Sequence, residues 1–227
     1  MAIVPNIIDL NHARSINLTE VKAAGIWGII HKARQGLGYG DPSYAARRDA
    51  AKAVGFLWAA YDFATGDDVK SNVASFLSYA ALDDSDGAWL DFEDNTASQM
   101  TGDQAYEFLD RVAQARGRAC GIYGGNRIRE HVDAHGAGWQ AMAAVSPLWQ
   151  CRYIVAQPAD NEALFRAIAP IPPWTANTII QYTGDGVGPR PHTVAGLQGG
   201  DDLDVFLGDQ AALAQAWPGQ PVDFPQA

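Results

Sequence analysis

The sequence predicts an α/β fold: a single distorted TIM-like β/α barrel with mostly parallel strands. Three observations carry that prediction. Apolar runs of strand length alternate with helix-like runs along nearly the whole chain, the pattern of a parallel sheet. Segments such as Ile26–Ile30 and Leu57–Tyr61 are continuously apolar, as strands buried on both faces require. About eight such units fit the 227 residues, enough to close a barrel. The alternative is a doubly wound open sheet. Against it, no Gly-rich phosphate fingerprint follows the first strand. The glycine clusters at Gly36–Gly40 and Gly184–Gly188 have the wrong spacing and no following Lys-Ser/Thr, so both read as mobile turns.

The elements follow in order. The first strand is expected at Ile3–Leu10. A short helix at Leu18–Ala24 follows, capped by Asn17 or Thr19 and stopped by Gly25. The second strand is Ile26–Ala33, and Asp41-Pro42 opens a helix as N-cap and N1 that Gly55 ends. Phe56–Phe63 is the third strand, with a helix from Asp67 to Leu82 behind it. Ala88–Glu93 is the fourth, followed by a helix over Gly102–Arg116 capped by Thr101 and closed by Gly117. Arg118–Tyr123, Pro147–Tyr153, Thr178–Thr183 and a short Leu203–Phe206 supply the remaining strands. Helical segments fill Asn126–Ala143 and Asn161–Ala169, where prolines stop the chain, and the last helix is Asp209–Trp217. Residues 1–217 thus form one catalytic-size domain, and the Pro- and Gly-rich residues 218–227 read as a loosely held tail.

Composition narrows the function. A net charge of −10 excludes a nucleic-acid binder, which needs clustered Lys and Arg, and disfavours docking on anionic membranes. No apolar run is long enough to span a bilayer. The first residues, Met1-Ala2-Ile3-Val4-Pro5-Asn6, lack the basic and apolar regions of a signal peptide. Cys120 and Cys151 read as buried free thiols. No His lies at a ligand spacing from either, so no metal and no cofactor is expected. His131 and His135 read as a surface pair, and Asp83–Gly87 resembles a calcium loop only superficially. A monomer is expected.

Active sites of parallel barrels gather at the C-terminal ends of the strands. Those ends carry Asp9, Lys32-Ala33-Arg34-Gln35, Tyr61-Asp62, Asp91-Phe92-Glu93-Asp94, Tyr123, Arg152-Tyr153 and Gln181-Tyr182, with Asp202 ahead of the short last strand. Concentrating polar groups on one rim costs folding energy unless they pair or act. Asp91 and Glu93 are the sharpest pair. Residues two apart on a strand share a face, so both carboxylates face the barrel mouth while Phe92 packs outward. Two close carboxylates repel, which raises one pKa and leaves a protonated acid beside an anion. Glycoside hydrolysis uses that division of labour. The rival reading is two solvated acids at a strand end. Tyr61, Tyr123, Trp149, Tyr153, Trp174 and Tyr182 lie near strand ends. There they suit stacking on sugar rings, or ordinary core packing.

These pieces resemble the glycoside hydrolase family 25 lysozymes, the Chalaropsis-type muramidases. Ile8-Asp9-Leu10-Asn11-His12, Gly36–Tyr44, Ala60-Tyr61-Asp62-Phe63, Leu90-Asp91-Phe92-Glu93, Gly121-Ile122-Tyr123, Leu148-Trp149, Gln181-Tyr182-Thr183 and Asp202-Leu203-Asp204-Val205-Phe206 are similar to that family's motifs, in order. The resemblance implies a distorted β/α barrel that cuts the β-1,4 bond between N-acetylmuramic acid and N-acetylglucosamine of peptidoglycan. It implies Glu93 as general acid and Asp91 as the carboxylate that assists the 2-acetamido group or stabilises the transition state. Asp9 and Asp202 are implied as supporting acids. Substrate-binding residues are expected at Arg34, Gln35, Tyr61, Asp62, Tyr123, Trp149, Arg152, Gln181 and Tyr182. Two positions depart from the family. Gln35 stands where it has Glu after an added Arg34, and Asp62 where it has His. Two rival readings remain open: a glycan-binding module with a worn active site, and a glycosidase of other specificity. Synthesis in the cytoplasm and release to the wall, as for a phage endolysin or an exported effector, is the expected localisation.

Overall fold

The computed structural model describes residues 5–154, 161–184, 186–198 and 202–222. In chain order the elements are β1 (Ile7–Leu10), β2 (Ser15–Ile16), α1 (Leu18–Ala23), β3 (Gly28–Gln35), β4 (Tyr39–Gly40), α2 (Tyr44–Ala53), β5 (Leu57–Phe63) and α3 (Val69–Ala80). Then come β6 (Gly87–Asp91), α4 (Gly102–Arg116), β7 (Gly121–Gly124), α5 (Asn126–His131), α6 (Ala137–Val145) and β8 (Leu148–Cys151). The last are α7 (Asn161–Arg166), β9 (Ile179–Thr183), β10 (Leu197–Gln198), β11 (Asp202–Val205) and α8 (Gln210–Ala216).

Eight strands close a barrel in the order β1, β3, β5, β6, β7, β8, β9, β11 and back to β1. The pairings from β1 through β9 are parallel, whereas β11 is antiparallel to both β1 and β9. Parallel neighbours need a crossover of a dozen or more residues, usually a helix. The described part of the β9–β11 connection contains no helix, and the chain returns running backwards.

The helices start and stop where side chains satisfy their free backbone groups. Asn17 caps α1 through the amides of Thr19 and Glu20. Asp68 caps α3 through Ser71, so that helix is shorter than the expected Asp67–Leu82. Thr101 and Gln104 form a reciprocal capping box on α4, and Gly117 closes it at φ 65°. Asp41-Pro42 is not the start of α2. Ser43 takes the cap position, and Asp41 turns inward, accepting from the Ser43 amide and hydroxyl and from the His12 amide.

Three further expectations need correction. The first strand begins at Ile7, and residues 1–4 lie outside the described residues. The Gly36–Gly40 stretch is not a mobile turn: Gly36 (φ 53°) donates to Asp62 Oδ1, Leu37 donates to Asp67 Oδ2, and β3 and β4 pair as a hairpin. In Gly184–Gly188, Asp185 lies outside the described residues, but Gly184 and Val187 exchange backbone hydrogen bonds. In the expected tail, the Gln220 carbonyl accepts from Ala119 and Val222 donates to the Gly117 carbonyl, and residues 223–227 lie outside the described residues.

Alternation along each strand divides the core in two. Ile8, Ile29, Trp58, Leu90 and Ile122 point outward under the helices, where Phe76 and Phe108 meet them. Ile7, Ile30, Ala59, Trp89, Trp149 and Ile179 fill the interior. The floor is plugged from below by Leu213 and Trp217 of the C-terminal helical segment, with Trp217 Nε1 donating to the Trp58 carbonyl at 2.6 Å. Glycines make room for these rings. A Cβ on Gly28 would sit 2.6 Å from the Trp217 ring, and one on Gly121 would sit 2.2 Å from Trp89. The C-terminal ends of the parallel strands form the rim opposite this filled floor. Both cysteines are free thiols.

Candidate active site

Asp9, the third residue of β1, faces the interior and stands directly opposite Asp202 on β11. Because β11 runs backwards, its first residue lies at the rim where the other strands end. Asp91 is the last residue of β6, on the same face as Trp89. The strand stops there rather than at Glu93. Phe92, wholly buried, points away from the mouth and packs against His131. Glu93 returns to the inner side, half-buried and hydrogen-bonded to the Tyr123 hydroxyl. The period-two expectation therefore holds past the end of the strand, with Phe92 outward and Glu93 inward.

A hydrogen-bond chain links opposite walls of the mouth. Tyr123 and Tyr153 both donate through their hydroxyls to Gln181 Oε1, at 2.6 and 2.7 Å. Gln181 Nε2 donates to Asp9 Oδ2 at 2.7 Å. The Tyr123 hydroxyl thus lies between Gln181, to which it donates, and Glu93. Lys32 lies inside the mouth, with Nζ 2.9 Å from Gln35 Oε1 and 4.6 Å from the Phe63 ring centre.

Burial raises the pKa of Asp9, Asp91 and Glu93. The Asp91 carboxyl is pushed up by burial and by Glu93, and drawn back by the Lys32 cation. Glu93 is raised by burial and lowered by its Tyr123 hydrogen bond. Asp9 is raised by burial and by Asp202, with the Gln181 hydrogen bond opposing. Burial lowers Lys32, and the Asp91 charge opposes that shift. The Asp91–Glu93 pair titrates as a unit. The Lys32 cation favours the charge on Asp91, which leaves the proton of the pair to Glu93.

Not every expected residue faces the mouth. Asp9, Asp91, Glu93, Asp202, Tyr61, Tyr123, Gln181 and Gln35 gather there. Trp149 is 1 % exposed and lies beneath them, its ring 4.3 Å from that of Tyr123, so a ligand would meet it only through its neighbours. Arg152 is exposed just past β8. Asp62, Tyr182 and Arg34 are misplaced by the sequence reading. Asp62 is fully buried behind the barrel wall, accepting from Asn72 Nδ2 of α3 and from the Gly36 amide. Tyr182 packs on Phe165 and donates to the Pro191 carbonyl. Arg34 lies over Tyr79 and donates to the Gly36 and Leu37 carbonyls. For Asp62 and Tyr182 the reason is the same period of two that places Tyr61 and Gln181 inward: their immediate neighbours must point outward. Arg34 follows the irregularity between Lys32 and Arg34 and pairs in register with outward-facing Asp62.

Sequence reading offered Tyr153 only as a rim aromatic and assigned no role to Lys32, Asp204 or Arg127. Alternation from Asp202 was the available signal for Asp204. Arg127 of α5 carries none in sequence. It donates to Asp94 Oδ1 at 2.8 Å and to the Met100 carbonyl at 2.6 Å, and lies over the Phe92 ring. It thereby ties down both ends of the segment that presents Glu93.

Known proteins share this chain's sequence pattern and fold. Residues 8–190 match the sequence profile of glycosyl hydrolases family 25. Lysozyme M1 of Streptomyces globisporus is 27 % identical, over 91 % of this chain and 69 % of that one. The crystal structure of a bacterial lysozyme from Streptomyces coelicolor superposes with a TM-score of 0.76 at 25 % identity, covering 93 % of this chain and 95 % of the other. A muramidase from Trichobolus zukalii shares the fold at TM-score 0.75 and 22 % identity, covering 95 % and 99 %.

Proposed function

The chain belongs to glycosyl hydrolase family 25, and from that premise we propose that it is a peptidoglycan-cleaving muramidase whose acid is Glu93. The carrying observation is that Asp91, Glu93, Asp9 and Asp202, from three strands and one strand end, lie together at the rim opposite the plugged floor of the barrel. Glu93 donates its proton to the glycosidic oxygen as the bond from the sugar C1 breaks. The Asp91 carboxylate, ionised beside Lys32, steadies the positive charge at C1 or the 2-acetamido group that attacks it. Water then adds at C1, and Glu93 takes its proton back. Tyr61 and Tyr123 line the cleft. Asp9, held by Gln181, and Asp202 set its negative field. The bond cut is the β-1,4 link between N-acetylmuramic acid and N-acetylglucosamine, and the partner is wall glycan.

The reading of a worn, merely binding module loses half its motive. Asp62, one of the two departures, sits behind the wall, hydrogen-bonded to Asn72 and Gly36. The other, Gln35, stays in the mouth as the partner of Lys32. Glu93→Gln keeps the hydrogen bond to Tyr123 yet has no proton to give. We expect it to fold normally and to lose roughly 10²–10⁴-fold in turbidity clearance of purified walls, the range for a general acid. Mass spectrometry of wild-type digests should show N-acetylmuramic acid at new reducing ends. A lytic Glu93→Gln would remove Glu93 from its role, and N-acetylglucosamine ends would replace the muramidase reading by another glycosidase. Among the described residues, no helix is long and apolar enough to cross a membrane.

A further inference from the structure

We propose that Asp204 is a neutral carboxylic acid that donates its proton to Asp9, holding the Asp9 carboxylate ionised and oriented at the cleft. The inference rests on the family 25 reading for its effect on turnover, but not for the protonation itself. Asp204 lies on β11, two residues below Asp202, facing the interior with no exposure at all. Its Oδ1 accepts from Trp149 Nε1 at 2.7 Å. Its Oδ2 meets no N–H or hydroxyl donor among the described residues. Asp9 lies on the same inner face of the neighbouring β1, one register step nearer the rim, and acts on Asp204 both as a like charge and as a side-chain hydrogen-bond partner.

Two carboxyl groups in contact inside a barrel hold one proton between them, because two buried anions would repel in a medium of low dielectric. The donors decide where it sits. Asp9 Oδ2 already has the Gln181 amide, itself fixed by the Tyr123 and Tyr153 hydroxyls. Asp9 is also the rim residue of the two, 8 % exposed against none for Asp204. The charge therefore rests on Asp9 and the proton on Asp204, a carboxylic acid kept neutral so that it can donate. The titratable groups facing Asp204 are Asp9 on β1 and Asp202 on its own strand, both acidic. Trp149 on β8 and Gln181, paired with it across β9, face it as neutral groups. No cation among the groups that act on it favours ionising Asp204, and burial together with Asp9 holds its pKa well above the ordinary value. Asp204 is a positioning residue: it acts on the reaction through Asp9.

The test compares Asp204→Asn with Asp204→Leu. The amide keeps both hydrogen bonds, accepting from Trp149 and donating to Asp9; leucine keeps the volume without the donor. Asp204→Leu should lose about 10- to 100-fold in kcat/KM on purified walls, the cost of stripping one donor from a buried anion, and Asp204→Asn should restore most of it. Replacing a neutral acid by a neutral amide should leave both limbs of the pH–rate profile in place. Equal loss in both variants, or an Asn profile displaced to lower pH as when an anion is removed, would overturn the assignment. Infrared difference spectra of wild type against Asp204→Asn at neutral pH give a readout that needs no activity and no stable Leu variant. A carboxylic-acid C=O band that disappears in Asp204→Asn is expected. Its absence refutes the protonated Asp204 whatever the enzyme cuts, whereas its presence in a protein that fails to cleave walls refutes the muramidase reading alone.

Discussion

Asp62→Asn should make the protein more stable, and increasingly so as the pH rises. The side chain is sealed behind β5, and burial lifts its carboxyl from the ordinary 3.8 to about 7, against the pull of its hydrogen bonds from Asn72 and Gly36. A raised folded-state pKa means that the folded chain holds a proton the unfolded chain has released. Stability is therefore greatest below pH 3.8 and declines as the pH climbs to about 7. Three pKa units correspond to about 4 kcal/mol, at roughly 1.36 kcal/mol per unit. Asparagine has no proton to lose. It can accept from the Gly36 amide and donate to Asn72 Oδ1, which has no partner among the described residues, once the Asn72 amide turns over. Urea unfolding of both proteins at about pH 5 and about pH 8 measures the effect. The advantage of the variant should grow by about 3 kcal/mol between them, the two units of titration that separate pH 5 from the folded pKa. A difference that does not change with pH, or a variant less stable than wild type at the higher pH, would show that Asp62 is not a buried acid of raised pKa.

Other outcomes follow from the same structure. Acid should unfold the protein through His31, buried against Trp58 and held near a pKa of about 4. A lowered folded pKa means stability is lost as pH falls from 6.5 towards 4, by up to about 3 kcal/mol, and His31→Gln should flatten that slope in a pH series of melts. Arg127→Met should release the segment carrying Glu93. We expect kcat on purified walls to fall about tenfold with KM little changed, on the scale of one lost charged hydrogen bond; an unchanged kcat would refute the clamp. Gly121→Ala should drive a methyl into Trp89 and cost about 3 kcal/mol or more by overpacking, read as a lowered melting temperature.

The line between sequence and structure runs along the strands. Chain order alone was enough for the alternation of strand and helix, and for the capped helix at Gly102–Arg116. It was enough for the shared face of Asp91 and Glu93 as well, because all of these rest on local periodicity and capping chemistry. Local pattern failed where one residue's direction depended on its neighbour across the sheet. Asp62 and Tyr182 stand beside cleft residues in sequence and on the other side of the wall in space. The direction of β11 was likewise invisible. It depends on how the chain crosses the barrel mouth, and it alone puts Asp202 on the active rim with Asp204 beneath it. Arg127 and the Gln181 hydrogen-bond chain exist only because closure brings distant segments within 3 Å of one another. Which residue types can act was written into the linear order; which of them share a proton was decided when the eighth strand closed the ring against the first.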